Sequence, residues 1–407
     1  MAEIFNSPFR PGYGVRPLVL GGHQPLLDRV QAIFDHGDIA GLNAMLLAGV
    51  RGSGKTSMLS EITERAETAG WITIGTIASR GFADRITSST VPKLLNDLDN
   101  PARLRLKGVN ASLARMVSVD LERIPDRKAI DTLADDLITL ARVFPERGVL
   151  ITIDEVSKVK TKVEEMTQFC NEIQIAISAG VKILVVFAGI VTEIDKLVTG
   201  PQLTFMQRAR TEPFYLFDFD ETQRVLRETA GTGGRTIHAD ALDYLARASQ
   251  GYPYLIQLVG DEAWRHNQSS PVIDADAARA GATSMMQRIE NEVLRRTIQD
   301  LSAKDREFID ALADQPDGPV KMAAIVSAMG KSSSYVEQYR LRLINSGYVI
   351  PVDKDGSLRH PDERGAGHVA FALPYLREYI RRLNEGRLPA SPPMNRGQFP
   401  PPPIDLA

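Results

Sequence analysis

The sequence predicts an α/β fold in which a parallel sheet is followed by an all-helical segment, then by three helices and a two-stranded ribbon. Three observations carry this. The first is the glycine-rich stretch Gly49-Val-Arg-Gly-Ser-Gly-Lys55-Thr56, set between the apolar run Ala44-Met-Leu-Leu-Ala48 and a helical pattern opening at Ser57. The second is Gly148-Val-Leu-Ile-Thr-Ile-Asp154-Glu155, whose near-continuous apolar run suits a strand buried on both faces of a parallel sheet. The third is that strand patterns stop near residue 220 and helical periodicity takes over.

The glycine-rich stretch fits G-x-x-x-x-G-K-[ST] in the context of strand, turn and helix, which marks a phosphate-binding P-loop and predicts a P-loop NTPase sheet. Gly49, Gly52 and Gly54 let the backbone wrap closely around phosphate oxygens. The N–H groups of Val50, Arg51, Ser53 and Ser57 belong to the same cradle, and the new helix points its positive end into it. Lys55 is expected to reach the β- and γ-phosphates of a nucleotide, and the Thr56 hydroxyl to complete the shell of a Mg²⁺ ion. Asp154 and Glu155 end their strand where its C-terminal edge meets the phosphates. Asp154 is expected to hold the Mg²⁺ shell through water, and Glu155 to polarise the attacking water. Two acids ending a strand also serve as a helix cap; the P-loop upstream favours the functional role.

With 407 residues, the chain has material for two or three domains. A hydrophobic content of 43% and a charged content of 24% are those of an ordinary globular protein. The formal net charge of -3 gives no global signal for nucleic acid or membrane, so any polyanion site must be a local patch. The single cysteine, Cys170, excludes an internal disulfide framework and lies in a helical pattern as a core residue. No apolar run approaches the ~20 residues of a membrane span, and the first residues lack a secretory signal. A cytoplasmic location with no membrane partner is expected.

In chain order, residues 1–22 read as an extended lead-in broken by Pro8, Pro11, Gly12, Gly14 and Pro17. Leu18 to Leu20 either lie against adenine or simply pack. A helix follows through Leu26, Leu27, Val30, Ile33 and Phe34. After the P-loop helix, residues 71–76 read as a second strand. Residues 104–109 and 114–121 read as an inserted hairpin, and residues 128–144 and 157–179 as helices. Residues 181–189 form another buried strand. A short helix ends near 204–211, and residues 212–217 read as the last strand. Arg208 and Arg210 stand at that junction, where an arginine either contacts the γ-phosphate of a neighbouring subunit or is a solvated or locally paired side chain.

The expected domains are an ATPase domain over 1–219, a helical lid over 220–300, a winged helix-turn-helix domain over 301–385, and a proline-rich tail over 386–407. In the lid, Gln250-Gly-Tyr-Pro253-Tyr separates two helices, with glycine ending one and Pro253 opening the next. In the C-terminal part, Ser302 caps a first helix, residues 322–329 form a second and 332–345 a third. Residues 348–351 and 368–372 pair as a ribbon before a closing helix over 375–383. The helix over 332–345 carries Tyr335, Gln338, Tyr339, Arg340 and Arg342, but acidic and basic residues in this region nearly balance, so DNA binding is permitted and not indicated.

With these residues stated, the chain resembles bacterial ATP-binding proteins of the AAA+/STAND type, related to origin-recognition ATPases. The entry Pro11-Gly-Tyr-Gly-Val-Arg-Pro17, the P-loop, Ile153-Asp-Glu155, Gly251-Tyr-Pro-Tyr254 and the C-terminal winged helix carry the likeness. The resemblance implies an ATPase that works as a nucleotide-dependent switch and assembles into an ATP-dependent homo-oligomer. It implies ATP and Mg²⁺ as cofactors, contact between Pro253 and the base, and DNA or a protein as partner of the winged helix. The STAND side of it implies signalling without DNA binding. Two positions depart from the pattern: His23 stands where relatives carry an arginine, and Ala188, Gly189 and Ile190 stand where relatives carry a polar sensor, leaving Thr192 as the nearest candidate. Both bear on hydrolysis more than on binding.

Overall fold

The computed structural model describes residues 6–12, 14–39, 41–91, 132–156, 163–190, 204–299, 301–354 and 367–386. The expected hairpin over 104–121, Thr192 and the tail beyond residue 386 lie outside these residues. The chain forms two compact units, one of Met1–Gly22, Val50–Gly54 and Tyr215–Ala407, the other of His23–Gly49 and Lys55–Phe214.

The second unit is a five-stranded parallel sheet with helices. Helix α1 (Gln24–His36) precedes β1 (Ala44–Gly49), and α2 (Lys55–Thr68) leads to β2 (Ile72–Ile77). Then follow α3 (Leu133–Val143), β3 (Val149–Asp154), α4 (Val163–Ser178), β4 (Ile183–Gly189) and β5 (Arg210–Phe214). The strand order is β2-β3-β4-β1-β5. Every pairing is parallel, which puts all strand C-termini on one edge.

The residues explain the elements. β1 and β4 are buried along their whole lengths, as their unbroken apolar sequences require. α1 buries Leu26, Leu27, Val30, Ile33 and Phe34 on one stripe and stops at Gly37, whose left-handed backbone lets its N–H reach the Ile33 carbonyl. α3 opens on a reciprocal cap between Thr132 and Asp135, which holds the Asp135 carboxyl below the ordinary carboxylate range. Cys170 is buried, and desolvation pushes its thiol up to about 12.

β5 starts two residues earlier than the sequence pattern predicts and ends at Phe214 rather than Phe217. The reason is register: β1 offers its edge from Met45 to Gly49, and these five positions face Arg210 to Phe214. β5 is an edge strand, so Pro213 is tolerated there without a ladder donor. Arg210 therefore lies inside the strand instead of before it.

The first unit holds the helical segment and the C-terminal region. Its helices α5 (Phe219–Thr232), α6 (Ala239–Ser249), α7 (Pro253–His266) and α8 (Ala275–Ile289) bury one continuous apolar core. This segment is not purely helical: Thr236–Ile237 pairs in parallel with Val272–Ile273, two pairs too short to leave a periodic signal. The lead-in belongs to this core. Phe9 meets Trp264 edge-on at 6.2 Å, and the Arg235 guanidinium lies 4.6 Å from the Trp264 ring.

The C-terminal region has α9 (Ala303–Ala313), β6 (Val320–Lys321), α10 (Met322–Met329), α11 (Ser333–Asn345), β7 (Val349–Val352), β8 (His368–Phe371) and α12 (Leu376–Asn384). Its sheet has three strands in the order β6-β8-β7, one more than the sequence pattern suggests, because two residues at Val320 are too few to alternate visibly. Ser302 caps α9, as expected. Buried Arg377 donates to the carbonyls of Leu312, Gln315, Pro316 and Gly318, closing the end of α9 with one planar fork.

Candidate nucleotide site

The loop after β1 turns on two glycines with left-handed backbone. Gly52 and Gly54 have φ of 72° and 95°, a region that L side chains rarely adopt. Between them Ser53 is buried and its hydroxyl donates to the Val50 carbonyl at 2.9 Å. α2 begins at Lys55, so the positive end of the helix lies at the loop's end. The Lys55 ammonium donates to the Gly49 carbonyl at 3.0 Å, which folds it back over the strand end.

β3 brings in the acids. Thr56 Oγ1 donates to Asp154 Oδ2 at 2.7 Å, and the other Asp154 oxygen accepts from the Glu155 N–H at 2.7 Å. Glu155 has φ of 56°, a left-handed backbone that is uncommon for a residue with a side chain and is found at functional turns. Gly49 and Asp154 both end their strands on the C-terminal edge, with β4 between those strands. Lys55, Thr56, Asp154 and Glu155 thus share one end of the sheet.

Thr56 and Asp154 fit Mg²⁺ by their donor chemistry. A hydroxyl and a carboxylate on one hydrogen bond supply few protein ligands, which suits an ion that keeps waters and takes phosphate oxygens. Among the described residues no group of three His, Cys, Asp or Glu side chains forms a cage.

Arg210 lies elsewhere on the sheet, and Arg208 in the turn before β5. Arg210 faces Met45, four positions before the Gly49↔Phe214 pair, so it sits about 13 Å toward the opposite edge at ~3.3 Å per residue. Its Nε is 2.6 Å from Glu212 Oε1, and Arg29 of α1 pairs with the same oxygen. Arg208 is exposed, just past the short helical turn Thr204–Gln207. The Arg29–Glu212–Arg210 cluster was not legible in the sequence, since it joins α1 to β5. His23 stacks on Phe214 with ring centroids 3.8 Å apart.

In the other unit, Pro253 is the first residue of α7, as its capping role predicts. Leu18 is 45% exposed, whereas Val19 packs partly against the lid core. The Arg224 guanidinium donates to the Leu20 carbonyl at 3.2 Å and pairs with Glu221, which also accepts the Gly22 N–H. The Tyr252 hydroxyl donates to the Arg51 carbonyl, a contact that no local pattern announced.

Comparisons with known proteins bear on the fold. Residues 20–172 match the AAA ATPase domain model. Residues 291–380 match a domain of unknown function, DUF8462. Among solved structures, the Walker-type ATPase PABY2304 of Pyrococcus abyssi superposes with a TM-score of 0.60 at 13% identity, covering 90% of this chain and 97% of that one. The Aeropyrum pernix ORC2 protein, in ADPNP–ADP complexes, superposes with a TM-score of 0.57 at 12% identity, covering 95% of this chain and 99% of that one. These likenesses establish the fold. No match was found among curated proteins. Among the described residues no helix is long and apolar enough to cross a membrane.

Proposed function

We propose that this protein is an ATPase that works as a nucleotide-dependent switch, with ATP and Mg²⁺ as cofactors. The observation that supports it most is the Thr56–Asp154 hydrogen bond beside Lys55 and Glu155 on one sheet edge. Residues 49–57 cradle the phosphates, Lys55 neutralises them, and Thr56 and Asp154 hold the metal shell. Bound Mg²⁺ supplies charge neutralisation at the β- and γ-phosphates. Glu155 orients water for attack, and Pro253 contacts the base. Arg210 or Arg208 acts on the nucleotide of a neighbouring copy in an ATP-dependent homo-oligomer, a reading that suits their place away from their own P-loop edge.

The C-terminal region, with the element order of a winged helix, receives the switch. Two cations of α11 are already engaged: Arg340 pairs with Glu337 at 2.5 Å, and Arg342 Nε with Asp305 at 2.6 Å. Phosphate contacts need cations free to displace counterions. This favours a protein partner, the STAND-type arrangement, over DNA.

Phosphate release tests the proposal. The wild type is expected to turn over ATP, and Glu155→Gln to retain ATP binding while losing turnover by about 100-fold or more. A Glu155→Gln variant with wild-type turnover removes Glu155 from the catalytic role.

A further inference from the structure

One tyrosine of the helical segment is built onto the phosphate loop. Tyr252 is 4% exposed, and its hydroxyl donates to the carbonyl of Arg51. Its ring lies on Gly52 so closely that a Cβ there meets the hydroxyl at 2.7 Å and Cε1 at 2.8 Å. Val50 belongs to the same buried cluster. Tyr252 is itself fixed. Gly251 before it has φ of 68°, and a Cβ there meets the Phe217 carbonyl oxygen at 2.1 Å, so only glycine fits. The Gly251 carbonyl accepts the Phe217 N–H at 2.8 Å, and the Tyr252 N–H donates to Ser249 at 3.0 Å. Pro253 then locks the backbone as the first residue of α7.

A trans peptide is planar, with its C=O and N–H pointing in opposite directions. Holding the Arg51 oxygen therefore sets the direction of the Gly52 N–H, which has no hydrogen-bond acceptor among the described residues. Burial pushes the Tyr252 phenol well above its ordinary range, so the hydroxyl stays a donor at physiological pH. We infer that Tyr252 is a positioning residue: its hydroxyl aims the Gly52 N–H at a bound phosphate and makes the α6–α7 turn and the phosphate loop one responsive element. The inference rests on the nucleotide-binding reading above and adds to it the phosphate, not the base, as what Tyr252 acts on.

Tyr375 supplies the matched control. Its hydroxyl donates to the Ala248 carbonyl at 2.6 Å in the same unit, a carbonyl of α6 and not of the phosphate loop, and burial pushes it up to about 12. Both tyrosines are replaced by Phe in the full chain, and affinities for ATP and for inorganic tripolyphosphate are measured beside the melting temperature. Tyr252→Phe is expected to weaken ATP and tripolyphosphate by the same factor, about three- to tenfold for one lost hydrogen bond. Tyr375→Phe is expected to lower the melting temperature comparably and leave both affinities unchanged. Equal losses of affinity in the two variants, or a Tyr252→Phe loss confined to ATP, overturn the positioning role. So does wild-type affinity in Tyr252→Phe, while the ATPase reading stands. A wild type that binds neither ligand overturns both. If Tyr252→Phe does not fold, hydrogen exchange of the wild type decides. By reciprocity, tripolyphosphate must slow exchange in the peptide over 252–256, and unchanged exchange there contradicts the coupling.

Discussion

The hydroxyl of Thr56 and the carboxylate of Asp154 meet at 2.7 Å, although Thr56 opens the helix that follows β1 and Asp154 ends β3, with β4 lying between those two strands. That bond ties the first turn of α2 to the end of β3, and in the proposed function it marks, with Lys55, the place of phosphate and metal.

The bond predicts how metal dependence changes. Asp154→Asn keeps the shape and one acceptor but loses the charge that favours a dication. Wild-type affinity for ATP is expected to be higher in Mg²⁺ than in EDTA, and Asp154→Asn to shrink that difference by about tenfold, within the range for outer-shell partners of a metal. Calorimetry with and without EDTA checks it; an undiminished Mg²⁺ effect in the variant removes Asp154 from the metal shell.

The shared carboxylate of Glu212 makes the arginine assignment testable. Arg210→Ala is expected to leave ATP affinity unchanged, because the residue lies toward the far edge of its own sheet. It is expected to lower turnover by about tenfold or more if it supplies transition-state charge to a neighbour. Gel filtration with a non-hydrolysable ATP analogue should show a larger species for the wild type. A wild type that stays monomeric with the analogue contradicts action across an interface.

Cys170 gives a pH dependence. Its thiol ionises from about 9.0 when unfolded and about 12 when folded, so the native state excludes the thiolate. Stability from this group is fully present below 9.0 and is lost as pH rises toward 12, at up to about 1.4 kcal/mol per pH unit. Urea midpoints at pH 8 and pH 10 check it. Cys170→Ala is expected to flatten the alkaline fall, and an equally steep fall in the variant assigns it to other groups.

Legibility in the sequence followed the range of the interactions. The P-loop, the strand ending at Asp154 and the cap at Ser302 are local, so residue type and spacing were enough. The end of β5 was misplaced because register with β1, not the run of aromatics after Pro213, decides where the strand stops. The two-residue strands at Thr236 and Val320 are too short for alternation to show. Tyr252 on Gly52 and Glu212 between two arginines join distant segments, and a single sequence carries no trace of such pairings. The left-handed backbone of Glu155 was equally hidden, since acids at strand ends ordinarily adopt other conformations.

The most direct test of the central claim is ATP affinity of the wild type beside Lys55→Ala, measured by calorimetry in Mg²⁺. Micromolar binding by the wild type and a loss of about 100-fold or more in the variant are predicted, from removal of the cation folded over the strand end. A wild type that binds no ATP, or a Lys55→Ala variant that binds it equally well, contradicts the account.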